Sequence, residues 1–77
     1  MEISSELQEA VEREIKRLKL IIACDKNLYR EEREKGVPIS ELVSLCSEIV
    51  EYQNELYLLQ MGRLKELPYH YQVLLSK

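Results

Sequence analysis

The sequence predicts an all-α protein: an antiparallel helical hairpin with a short C-terminal helical segment, dimerising into a four-helix bundle. Three observations predict it. Apolar residues recur at helical spacing over two long stretches, and the short link Gly36-Val37-Pro38 separates them. The second stretch also carries more apolar surface than a two-helix core absorbs.

Size and composition set the frame. Seventy-seven residues make one small domain, near the lower limit at which a single core is stable. With 45% apolar and 32% charged residues, the chain has the composition of a folded protein, not of a disordered one. All five aromatic residues are tyrosines, whose hydroxyl prefers the edge of a buried surface to its centre. A net charge of −3 argues against nonspecific binding to nucleic acid. The longest apolar run, Leu20 to Cys24, is far too short to span a bilayer, so no membrane partner is expected. The start, Met1-Glu2-Ile3-Ser4-Ser5-Glu6, is acidic and polar, unlike a secretory signal. A cytoplasmic location is the expected default.

The first helix should run from about 5 to 35. Ser5 and Gln8 match a capping box, and no Gly or Pro follows until Gly36. Taking Leu18 as reference, Leu7, Val11, Ile15, Ile21, Ile22 and Tyr29 lie within about 60° on ordinary helix geometry. Ala10 and Leu28 fall at the margin, and Cys24 near the edge. Glu14 and Asp25 lie inside the same arc. The far side carries Glu9, Glu12, Arg13, Lys16, Asn27, Arg30 and Glu31, a mixed-charge solvent face. The basic group Arg13, Lys16, Arg17 and Lys19 is interleaved with Glu9, Glu12 and Glu14, which reads as a solvated face with i,i+4 pairs.

Gly36 suits a left-handed helix cap, and Lys35 in the last turn complements the helix dipole. Pro38 fits the first turn of the next helix, where its missing N–H costs nothing. So short a connection places the two helices antiparallel as neighbours. The second helix should run from about 38 to 61. Gly62 stops or bends it, and Pro68 interrupts any continuation. A short segment over about 63–76 should add closing turns through Val73, Leu74 and Leu75.

The second helix holds the candidate site. With Leu42 as zero, its apolar arc spans roughly 200°, where a surface helix needs little more than about 100°. We take Leu42, Leu45, Cys46, Ile49, Tyr52, Gln53, Leu56, Leu59 and Gln60 as the candidate interface. Gln53 and Gln60 sit in the middle of that arc. A turn centred near residue 37 makes facing positions sum to about 74 in an antiparallel pair. Glu14 then meets Gln60, and Asp25 lies near Ile49, between Cys46 and Gln53. A carboxylate accepting from a glutamine amide would satisfy both groups, and a wet seam at the frayed end of the hairpin is the alternative. Roughly half of the arc finds no partner inside the hairpin, so it should meet a second copy of the chain or another protein. The flank of Leu45 and Leu59 is assigned to that intermolecular contact, with Gln53 fixing its register.

Signals for chemistry are weak. Cys24 and Cys46 belong to no CxxC or Cys/His cluster, and no metal site is expected. Cys46 reads as a small core residue, and a bond between the two cysteines does not suit a reducing compartment. His70 follows a proline with no Ser, Cys or Asp at a motif spacing. Glu66 and His70 bracket Pro68, so they cannot form the ExxH helical pair of di-iron bundles. Glu31, Glu32 and Glu34 read as a solvated helix end. Gly36 and Gly62 are the only glycines, which leaves no phosphate-binding loop. The expectation is a protein without catalytic residues or cofactors.

"LCSEIVEYQNELY" on the second of two helices joined by a short turn resembles the small aspartyl-phosphate phosphatases that act on sporulation response regulators. The resemblance covers residues 15 to 57 at most. That family is known for a Ser-x-x-x-Asp pattern in a leucine-rich second helix, with the Asp implicated in dephosphorylation. Aligned from Gly36 without a gap, the pattern's Ser falls on Cys46 and its Asp on Val50. Shifted by one, it falls on Ser47 and Glu51, with Gln53-Asn54 where Leu-Ile usually follows. Either way the aspartate is missing. The residues therefore read first as a small protein-binding regulator or adaptor. A response-regulator phosphatase, or a non-catalytic relative of one, is the alternative, and a structural subunit of a larger assembly is a third reading. Oligomeric state in isolation separates the third from the first, and hydrolysis of a phosphorylated receiver domain separates the second.

Overall fold

The computed structural model describes residues 5–75. Over these the regular structure is helical: α1 (Ser5–Glu34), α2 (Val43–Gln60) and α3 (Tyr69–Leu75), with 3-10 turns at Ile39–Glu41 and Leu64–Glu66. No strand occurs among the described residues. The last residue of the expected segment 63–76 lies outside them. At about 1.5 Å per residue, α1 is roughly 45 Å long. It therefore accounts for most of the 50 Å long axis of a molecule only 19 and 18 Å across. α1 packs chiefly on α2 and touches α3 as well.

Two glycines end the long helices in the same way. At Gly36 (φ +92°) the Gly36 N–H donates to Arg33 O at 3.0 Å and the Val37 N–H to Glu32 O at 3.0 Å. At Gly62 (φ +72°) the Gly62 N–H donates to Leu59 O at 3.2 Å and the Arg63 N–H to Leu58 O at 2.9 Å. Both pairs are the 5→2 and 6→1 bonds of a Schellman cap, which satisfy carbonyls the helix leaves open. The backbone there is left-handed, a region that glycine enters without steric penalty.

The start of the second helix differs from expectation. Pro38 is extended (φ −70°, ψ 152°), a 3-10 turn follows, and Leu42 breaks the helical path at φ −106°, ψ 11° before α2 begins at Val43. No side chain caps either element, because Leu42 and Pro38 stand where a Ser, Thr, Asp or Asn would. Burial decides the geometry instead. The turn rolls Leu42 inward until it is only 8% exposed, while its carbonyl accepts from the Cys46 N–H at 2.9 Å.

The core is formed by Leu18 of α1, Leu58 and Leu59 of α2, Leu67, and Tyr71 of α3. Val11, Ile15, Tyr52, Leu56, Leu64 and Leu75 pack around it. The expected closers Val73 and Leu74 are a little under half exposed, and Leu75 is only partly buried. Leu67 and Tyr71 close the core in their place. Tyr71 enters on the first turn after Pro68, its N–H donating to Pro68 O at 3.0 Å. It is fully buried, against the general preference of tyrosine for an edge, because its hydroxyl has polar partners inside the fold.

Candidate protein-interaction surface

α2 carries two rows of residues, each advancing by alternate steps of three and four. The first is Leu42, Leu45, Ile49, Tyr52, Leu56 and Leu59, and the second is Val43, Cys46, Val50, Gln53, Tyr57 and Gln60. Neighbouring rows of this kind lie about 100° apart on one helix. Every member of the first row is buried or half-buried, and Leu59 is 2% exposed. The second row faces outward. Val43 is 55%, Val50 64% and Tyr57 49% exposed, Gln53 and Gln60 are exposed, and only Cys46 is half-buried. Ile39, also exposed, extends the row, and with Val43, Cys46, Ser47, Val50 and Glu51 it lines a shallow concavity.

This placement corrects the assignment of flanks. Leu45 and Leu59 were the side expected to meet another molecule, yet Leu59 sits in the core of its own chain. The physical reason is the C-terminal segment. Tyr71 and Leu67 pack with Leu18 of α1 and Leu58 and Leu59 of α2, so the Tyr52–Leu59 end of that side is covered from two directions. The uncovered apolar side is that of Val43, Val50 and Tyr57, and its signal in the sequence was the second three-and-four spacing.

The expected carboxylate–glutamine pairs do not form either. Glu14 is ion-paired with Arg17 at 2.7 Å instead of meeting Gln60. Asp25 faces Glu48, not Gln53. Gln53 is exposed on the outward row, and Gln60, also exposed, borders a depression with Val11 and Ile15 of α1 that does not include Glu14.

Two polar groupings lie across the inner surfaces. The Tyr71 hydroxyl donates to Glu55 Oε2 at 3.0 Å and accepts from Arg17 Nη2 at 3.4 Å, while Arg17 Nε donates to Glu14 Oε2 at 2.8 Å. One chain of bonds thereby joins all three helices. Burial first, and then the Glu55 carboxylate, raises the Tyr71 phenol above its ordinary acidity range, so it remains a neutral donor at physiological pH. In the second grouping, Asp25 Oδ2 is buried with no hydrogen-bond partner. The Glu48 carboxyl opposite it titrates above its usual 4.5, first through a hydrogen bond to Asp25 and then through the charge of Asp25, with smaller contributions from burial and Glu51.

Glu55 of the first grouping also borders an open depression with Glu51, Asn54 and Glu66. His70 is exposed, its ring centred 4.4 Å from that of Tyr71 and tilted by 37°. Both cysteines are free thiols, Cys24 exposed and Cys46 half-buried. Among the described residues no cluster of three His, Cys, Asp or Glu could hold a metal ion, and no helix is long and apolar enough to cross a membrane. No known family model, curated protein or solved structure matches the chain.

Proposed function

We propose that this chain is a small regulator or adaptor that works by binding protein, as an antiparallel helical hairpin that self-associates through α2 into a four-helix bundle. The observation that carries this reading is the exposed apolar row Ile39, Val43, Val50 and Tyr57. Single exposed apolar residues are ordinary, as Leu20 and Leu28 are on α1, but a row of them along one side, from the 3-10 turn through α2, marks an interaction surface. Size supports the same conclusion. A two-helix chain with one short closing helix buries little apolar surface, and small scaffolds of this kind gain stability by association. The antiparallel arrangement is supported by Asp25 facing Glu48, and by Val11 and Ile15 sharing a depression with Leu59 and Gln60. Both sets of positions sum to about 74, as a short connection dictates.

The test is sedimentation equilibrium of the purified chain at micromolar concentration. The expected result is a dimer or a higher multiple of the 9.1 kDa chain. A compact, folded monomer at all concentrations would rule out self-association.

A further inference from the structure

We infer that the Val43–Tyr57 row is the seat of a second copy of this chain, whose own α2 packs on it as a two-stranded seam beside the basic edge of α1. This rests on the reading of α2 as a self-associating helix and identifies which of its faces does the work.

The spacing comes first. Steps of three and four along one helix are the knobs-into-holes repeat of paired helices, and α2 carries two such repeats side by side. A helix with two such rows can meet two neighbours in directions about 100° apart. α1 occupies the first row. The second row, from Ile39 to Gln60, offers roughly 30 Å of helix to a second neighbour. Gln53 stands at a core-type position of that row, where a polar side chain selects register and partner number.

Charge then identifies the neighbour. Gln8 and Glu12 of α1 share a depression with Gln60 and Met61 of α2, so that edge of α1 lies on the same side of the molecule as the outward row. Arg17, Tyr71 and Glu55 mark the opposite side. Helix geometry continues the Gln8–Glu12 edge through Lys19, Lys26, Arg30 and Arg33, all of them exposed. The outward row is therefore bordered on the α1 side by four basic side chains. A helix lying there should be apolar along one row and acidic beside it. α2 itself has this character: between Gly36 and Gly62 the chain contains Glu41, Glu48, Glu51 and Glu55 and no lysine or arginine. Glu51 stands directly at the border of the outward row. A two-fold axis makes the match reciprocal, because each copy sets its acidic border against the other's basic edge.

The experiment compares the wild-type chain with the Val50→Glu, Tyr57→Glu double variant by sedimentation equilibrium and far-ultraviolet circular dichroism. Both side chains are about half exposed or more within one chain, so the helical signal should be unchanged while the dimer gives way to a 9.1 kDa monomer. If the glutamates unfold the chain, Val50→Ser with Tyr57→Ser should still raise the dimer Kd at least tenfold. Lys19→Glu with Lys26→Glu should weaken the wild-type dimer, and Glu51→Lys added to that variant should recover it. A wild-type dimer that survives both Val50/Tyr57 variants with unchanged Kd overturns this seat while leaving self-association standing. A monomeric wild-type chain overturns both, and so does one that instead binds an acidic amphipathic peptide on this row.

Discussion

Asp25 and Glu48 bring two carboxyl groups within hydrogen-bonding reach across the contact of α1 with α2, and one oxygen of Asp25 is buried there without a donor. Neither carboxylate takes part in an ion pair among the described residues, since the basic partners there pair with Glu14, Glu32 and Glu66. Glu51, on the same helix as Glu48, adds to the repulsion. The Asp25 carboxyl, first by hydrogen bonding and then by its charge, favours the protonated form of Glu48 and holds its titration above the usual value.

That relationship makes stability depend on pH in a defined direction. An acid whose folded-state titration is raised contributes stability below its ordinary value of 4.5, and the contribution is lost as pH rises through the folded value. The pair therefore strengthens the α1–α2 contact in mild acid and weakens it at neutrality. Asp25→Asn supplies an amide donor and deletes a charge. It should raise the Tm by a few degrees at pH 7, with the gain vanishing as pH falls toward 4.5. Parallel Tm–pH profiles for wild type and variant would show that Asp25 does not govern the Glu48 titration.

Tyr71 should be the residue on which α3 depends. Tyr71→Phe keeps the ring in the core and removes the hydroxyl that Glu55 and Arg17 share. Losing a hydrogen bond to a charged group costs about 1.5–3 kcal/mol, and each kcal/mol shifts the Tm of a domain this small by about 4–8 °C. Tyr71→Ala also opens a cavity and should cost about 3–5 kcal/mol. Leu74→Ala, at an exposed position outside the core on the same short helix, should cost less than either Tyr71 change. Thermal denaturation of the three variants, with equal losses for Tyr71→Phe and Leu74→Ala, would remove the hydroxyl from this role.

Gln53 is exposed on the outward row, so its effect should appear in association before it appears in the fold. Gln53→Leu is expected to lower the dimer Kd and to broaden the distribution of oligomers, since an apolar side chain replaces one that specifies partner number. Because Asp25 faces Glu48, Asp25→Leu and Gln53→Leu should act additively on stability. Strong coupling between them would place Gln53 on the inner face after all.

The resemblance to response-regulator phosphatases leads to a kinetic test. Glu51 occupies one alignment of the missing aspartate and lies exposed beside the outward row. A protein-binding role without catalysis predicts that the chain, added in stoichiometric amount, leaves the lifetime of an aspartyl phosphate on a receiver domain unchanged. Acceleration that Glu51→Gln abolishes would establish the phosphatase reading instead.

Much of this architecture is written in local sequence. Gly36 and Gly62 end the two long helices because a left-handed backbone residue is needed there and glycine enters that region without steric penalty. The 3.6-residue period likewise marks which side chains share a face, and the excess apolar arc on α2 was legible before any packing was seen. What periodicity cannot encode is the rotation of a helix about its own axis. Two apolar rows about 100° apart offer two ways to seat α2 on α1, and nearest-neighbour spacing does not rank them. Leu67 and Tyr71, on either side of Pro68, decide the matter by covering the Tyr52–Leu59 end of the first row. The polar partners followed from that rotation: Glu14 went to Arg17, Asp25 met Glu48, and the glutamines turned outward. Local propensity acts within a few residues, whereas burial is a property of the whole packed chain, and only the tertiary structure could choose which half of the arc remained open.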